Sequence, residues 1–301
     1  MNIKHLYIIG NGFDIFIGLN TRFSDFRNWL SCNYPFVYEN LCSVYEEKGE
    51  WWNDFEANLG NLDVEEYVRT YTPPTPEKSI DEILASATLN NKYVGDGLPH
   101  INIYTPCADR LRGLLEILQY CFEKWVNSIP DIILDAKYIK LETENSYFIN
   151  FNYTDVLQKL YNVPEQQILH IHGQVSKYEK LIFGHGNRVY IEDFSHDIEE
   201  TCNELNNYEK NPYIYIYKHK DLPSILKNVE YVHIYGFSIS EVDEDYLDWI
   251  EKNTPKYSKW EFSWYSDKDL QRINEFLINH ISLKYRSKLI KLEDIEVQPI
   301  F

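Results

Sequence analysis

The stretch "HLYIIGNGFD", residues 5–14, constrains the fold more than any other part of the chain. A short apolar run rich in β-formers stops at glycine, which predicts a central buried strand emptying into a tight turn. Gly10 and Gly12 in that turn would let the backbone approach a ligand closely, and a helix start behind them would favour an anionic group. A glycine turn after a strand also has a purely structural reading. Ile15 stands where a G-x-G-x-x-G motif needs its third glycine, so the ordinary dehydrogenase fingerprint is not met. The turn also carries a carboxylate, Asp14, an unusual neighbour for a phosphate.

The rest of the chain extends the pattern. Apolar residues recur at helical spacing from Ile15 to Leu30, interrupted at Gly18 and Asn20, with Ser24 a candidate N-cap for "FSDFRNWL". In the second half "SYFINFNY", "QILHIHG", "KLIFGHG" and "VEYVHIYGFS" read as further short strands ending in Gly, Asn or His. Strands alternating with helical stretches predict an α/β fold, a Rossmann-like parallel sheet flanked by helices. Residues 30–145 change character: "WWNDFEANLGNLDVEEY" and "ADRLRGLLEILQYCFEKWVNSI" are helical in period, while "YTPPTPEKS" and "YVGDGLPHINIYTP" are turn-rich loops. The expectation is one domain over 1–301 with a mainly helical insertion at 30–145.

The 29 Lys and Arg against 47 Asp and Glu leave a formal charge of −18, which repels nucleic acid and anionic membranes. Five cysteines, odd in number and without a C-x-x-C pair, suggest neither a thiolate zinc site nor a disulfide framework. No apolar run reaches the roughly 18 residues of a membrane span, and "LYIIG" is too short for a signal peptide core, so a soluble, cytoplasmic protein is expected.

Ligands of parallel sheets sit beyond the carboxyl ends of the strands, where the polar residues of this chain gather in sequence. Asn11 and Asp14 follow the first strand, Asn152 and Asp155 a middle one, His170 and His172 the next, then His185 and Asn187, and finally Ser238, Glu241 and Asp243. Thr154 or Asp155 would cap a helix; Asn152, an amide at a strand tip, could orient a ribose hydroxyl or a water. In "HIHG" two histidines share one side of a strand, but with no convincing third ligand a general base fits better than a metal, and His170 reads as a packed partner. Ser238 or Ser240 caps the helix after "GFS", and Gly236 and Ser238 are possible ligand contacts. Trp51 and Trp52 read as an aromatic anchor, with Glu56 kept as a candidate that could reach the cleft.

Taken together, "YIIGNGFD", "WWNDFE", "FNYTDVLQKLY", "HIHG", "FGHGN" and "GFSISEVDEDYL" resemble the AbiH family of abortive-infection proteins that defend bacteria against phage. That family in turn resembles sirtuins and sirtuin-like NAD-cleaving defence domains, with Gly10, Gly12 and Gly18 matching their loop glycines in spacing. The resemblance implies a sirtuin-like fold and NAD as ligand or substrate, held by Gly10, Asn11, Gly12, Phe13, Asp14, Asp155, Gly236 and Ser238. It further implies that Asn152 positions a water or the nicotinamide ribose, and that His172 deprotonates a ribose hydroxyl or the attacking water. Asp14 replaces the usual loop serine and is expected to face the sugar or nicotinamide end while the phosphates rest on backbone N–H groups. The zinc-binding cysteine pairs of deacetylating sirtuins are missing. The implied output is hydrolysis of the nicotinamide glycosidic bond; an ADP-ribose-type sensor, or a toxin acting on protein or RNA, is the alternative. A phage protein as trigger and self-assembly both stay open.

Overall fold

The computed structural model describes residues 2–45, 51–71, 106–130, 138–177, 180–186, 188–191, 195–240 and 243–298. The loops expected at 72–79 and 93–105, and the candidates Asn187 and Glu241, lie outside the described residues. By its contacts the chain forms two compact units: residues 1–22, 126–182 and 211–301 make the first, and 23–125 with 183–210 the second.

The first unit is built on a six-stranded parallel sheet. In chain order its strands are β1 (His5–Ile9), β2 (Ser146–Asn150), β3 (Ile168–His170), β4 (Tyr231–Tyr235), β5 (Lys259–Trp264) and β6 (Ser287–Lys291). Across the sheet they run β3-β2-β1-β4-β5-β6, so the order turns back at β1. Ile9 stands level with Asn150 on one side and Tyr235 on the other. That reversal creates the switch point at which loops diverge and leave room for a ligand.

Alternation along the strands divides the core. Leu6, Ile8, Ile149, Val232, Ile234, Trp260 and Phe262 pack on one face, Tyr7, Ile9, Phe148 and Tyr235 on the other. Both faces are apolar because helices cover both, as a parallel sheet requires. The helices that matter to the site are α1 (Asn11–Phe16), α2 (Val156–Lys159), α3 (Glu244–Asn253) and α4 (Asp267–Asn279). The last begins with a reciprocal cap in which Ser266 accepts from the Asp269 N–H while the Asp269 carboxylate accepts from that of Ser266.

Several local expectations shift. "GNGFD" is already the first turn of α1 rather than a turn before a helix, and Gly18, at φ +103°, follows its end. Ser24 lies inside the helix Phe23–Asn33, and Asp155 precedes α2 without capping it through its side chain. "KLIFGHG" forms no strand among its described residues, only a single bridge from His185 to Glu209. Its polar end is held by backbone bonds to Tyr208 and Lys210 instead.

The second unit contains only helices and irregular segments among its described residues. Its centre is aromatic. Phe26, Trp52, Phe55 and Phe122 are buried in mutual ring contact, Trp52 stacked on Phe55 at 5.3 Å, so "WWNDFE" is the anchor its composition predicts.

Candidate functional site

At the carboxyl end of β1 the glycines serve the backbone. Gly10 N–H donates to the Tyr235 carbonyl at 3.0 Å, Gly12 N–H to the Gly236 carbonyl at 2.7 Å, and Phe13 N–H to the Gly10 carbonyl at 2.9 Å. Two loops are thereby interlocked. A Cβ on Gly10 would stand 2.5 Å from the Phe237 Cα, and one on Gly236, at φ +61°, 1.9 Å from the Phe13 nitrogen. The phosphates were expected to rest on these N–H groups; the structure engages three of them with carbonyls, because the β1 and β4 loops approach each other too closely to leave the donors outward. Ser238 is exposed, and the Asn11 amide donates to the Thr21 carbonyl at 2.8 Å.

Asp14 is almost wholly buried, with 1% of its surface exposed. One carboxylate oxygen accepts from the Asn152 amide at 2.7 Å and the other from the Thr154 hydroxyl at 2.6 Å. Asn152 also donates to the Gly10 carbonyl at 3.1 Å, which ties the tip of β2 to the glycine turn. The expectation that Asp14 faces a sugar is thus replaced by an internal bond set, the reason being that "FNYTD" supplies two donors across the switch point. Burial pushes the Asp14 carboxyl up to about 7, against the opposing effect of the Thr154 and Asn152 hydrogen bonds. Neutral donors do not offset the full loss of water.

Beside this set lies a cavity of about 160 Å³ lined by Leu19, Asn127, Tyr153, Thr154, Asp155 and Lys159, among others. Thr154 therefore connects the cavity to Asp14. Asp155 accepts from Gln174 at 2.6 Å and Ser176 at 3.0 Å, and its second oxygen lies 3.3 Å from the Lys159 ammonium.

His172 has different surroundings. Its ring meets Phe151 edge-on at 5.3 Å and Tyr246 at 5.9 Å, and both belong to the core on the Leu6 and Ile8 face. Phe13 and Val156, which flank Asp14 and Thr154 in the chain, belong to the core on the other face. Phe151 packs against His172, whereas the neighbouring Asn152 amide turns to the Gly10 carbonyl and Asp14. His172 Nε2 is 3.9 Å from Asp243. His170 is a packed partner as expected, bonded to the Asn152 carbonyl at 3.1 Å and to Gln158 at 2.8 Å, and burial lowers its basicity.

Glu56 sits in the second unit, where it pairs with the buried Lys210 at 2.6 Å and accepts from Gly184 N–H at 3.4 Å. His185 in that unit bonds the Leu205 carbonyl at 3.0 Å. Sequence reasoning passed over Thr154 as more than a cap and did not single out Gln174 or Ser176; the signal for Thr154 was its place in "NYTD" directly after the amide at the strand tip.

The sequence matches the model of the family described as bacteriophage abortive infection AbiH over residues 6–264, from β1 through β5. The chain belongs to the AbiH family. A comparison with curated proteins gives no match. Membership points this AbiH protein to abortive infection, and the match takes in the described second unit and most of the first.

Proposed function

We propose that this AbiH protein acts in phage defence by taking the nicotinamide end of NAD, or of a related nucleotide, at the cavity beside Thr154 and hydrolysing the glycosidic bond there. The observation that carries the reading is a buried carboxyl near neutrality, Asp14, joined through the Thr154 hydroxyl to a cavity at the sheet's switch point. The hydroxyl, amide and carboxylate groups of Thr154, Asn127 and Asp155 around that cavity suit sugar hydroxyls and a carboxamide, and the engaged glycine N–H groups make a poor phosphate cradle. In the reaction the C1′–N bond breaks with its electron pair leaving on nicotinamide, a water oxygen bonds to C1′, and the water's proton passes by way of the Thr154 hydroxyl to ionised Asp14. Asn152 holds Asp14 in place, and a base of this kind contributes about 10²- to 10⁴-fold. His172 takes no direct part in this scheme.

A second reading, a sensor that binds the nucleotide without cleaving it, is favoured by the small volume of the cavity and by the closed Asp14–Asn152 bond. Purified protein is incubated with NAD, with and without phage lysate, and nicotinamide release is followed beside NAD binding by calorimetry. Release that falls at least tenfold in Asp14→Asn and Thr154→Val but survives in His172→Ala supports hydrolysis. Binding without release in any of them supports the sensor, and absence of both sinks the nucleotide reading.

A further inference from the structure

Away from the switch point, α3 presents Glu244, Asp248 and Glu251 at intervals of four and three residues, one stripe of its surface. His280 meets this stripe from the end of α4. Its Nδ1 lies 2.7 Å from one Glu251 oxygen and its Nε2 lies 3.0 Å from Asp248 Oδ1. One ligand atom each from Glu244, Asp248 and His280 falls within 4.8 Å of the other two, and all three residues are half-buried. Elsewhere among the described residues no other such group of three occurs.

Three further contacts make this more than a patch of acids. Glu251 is fixed from behind by Arg286 at 3.2 Å and Ser282 at 3.0 Å. The Phe276 ring stacks on His280 at 4.2 Å, which sets the plane of the imidazole. Asp248 Oδ1 is shielded from solvent and makes no hydrogen bond, its nearest partner being the imidazole across the gap. A histidine that ligates a metal almost always gives its other ring nitrogen to a carboxylate, which fixes the tautomer and raises its basicity. Glu251 occupies that place for His280, leaving Nε2 aimed at the two remaining carboxylates.

We propose that Glu244, Asp248 and His280 bind a divalent transition-metal ion of the zinc class, with Glu251 as the outer partner of the histidine. One nitrogen and two carboxylate oxygens suit such an ion, and three protein ligands leave a coordination position for water or a ligand group. The His280 and Asp248 ligand atoms already stand 3.0 Å apart, close to the spacing that two bonds of about 2.1 Å to one ion allow. Glu244 is the first residue of α3 and directly follows Asp243, which lies 3.9 Å from His172.

The test uses the full chain, stripped with a chelator and titrated with Co²⁺ by visible absorbance, then with Zn²⁺ in competition. One saturable site is expected. Asp248→Asn and His280→Ala should each abolish it, and Glu251→Gln should weaken it about 10- to 100-fold. His196→Ala, at the exposed His196–Glu200 pair, is the control that should change nothing. Circular dichroism confirms that each variant is folded; should His280→Ala fail to fold, Asp248→Asn and Glu244→Gln carry the test. Binding that is not saturable, or that persists unaltered in Asp248→Asn and Glu244→Gln, overturns the proposal.

Discussion

Asp14 and Glu261 are two carboxyls of the same sheet unit with opposite fates. Asp14, beyond the carboxyl end of β1, meets only neutral donors, the Asn152 amide and the Thr154 hydroxyl, and burial lifts it to about 7. Glu261, within β5, lies 3.5 Å from the His233 ring, accepts from the Tyr235 hydroxyl at 2.6 Å and from Lys288 at 3.1 Å, and is held down at about 2, chiefly by His233. Hydrogen bonds are present at both. The difference lies in whether charge accompanies them: without a cation and without solvent a carboxyl keeps its proton, and with cations at a wetter site it loses it. The first arrangement suits proton exchange near neutral pH, the second a fixed charge that ties strands together.

The sharpest way to break the comparison is to remove the scaffold of the first site. Gly236→Ala forces a side chain into the Phe13 backbone at a left-handed position, and a loss of about 3 kcal/mol or more is expected, read as a collapse of soluble yield or of the melting temperature. An unchanged melt would mean that the interlocked loops do not hold the Asp14 site. Next comes Asp14→Asn. Because the folded carboxyl binds its proton more tightly than the unfolded one, wild-type stability is greatest below about pH 4 and falls as pH rises to about 7. The amide keeps one acceptor, for Asn152, turns the Thr154 hydrogen bond round so that its NH2 donates, and removes that slope, a difference of up to about 4 kcal/mol at pH 8, measurable by urea melts across the range. Smallest is Glu261→Gln, where the sign reverses: the depressed carboxyl stabilises above about pH 4.5 and loses that effect as pH falls toward 2. Partial exposure screens it, so about 1 kcal/mol is expected. Equal slopes in Asp14→Asn and Glu261→Gln would erase the distinction.

Much of the framework was readable beforehand, and the residues explain where reading stopped. "HLYIIG" is apolar on both sides because β1 is central, and that made it visible. β5 and β6, "KWEFSW" and "SKLIK", escaped because Lys259, Glu261, Lys288 and Lys291 interrupt the apolar run. They are tolerated toward the edge of the sheet, where one side of a strand meets water. The neighbourhood of Gly10 and Asn152 followed from strand-end logic, while the Thr154 bond to Asp14 spans 140 residues and depends on how two loops rotate after their strands pair. His172 has a local explanation: the strand ends at His170 and residues 171 and 172 already form a turn, so alternation along "HIHG" does not set the direction of its side chain. His280 and Glu251 come from separate helices that no spacing connects.

The position of β1 has a kinetic consequence. Its two neighbours begin at Ser146 and Tyr231, so β1 is made well before the first of them and longer still before the second. Long-range parallel pairing is slow to form, and a partial chain exposes an apolar ribbon meanwhile. A nascent copy thus has no functional centre, and a truncation anywhere before Tyr235 removes the strand that closes the loops over Asp14. β1 is therefore flanked on both sides only once Tyr231–Tyr235 has been made.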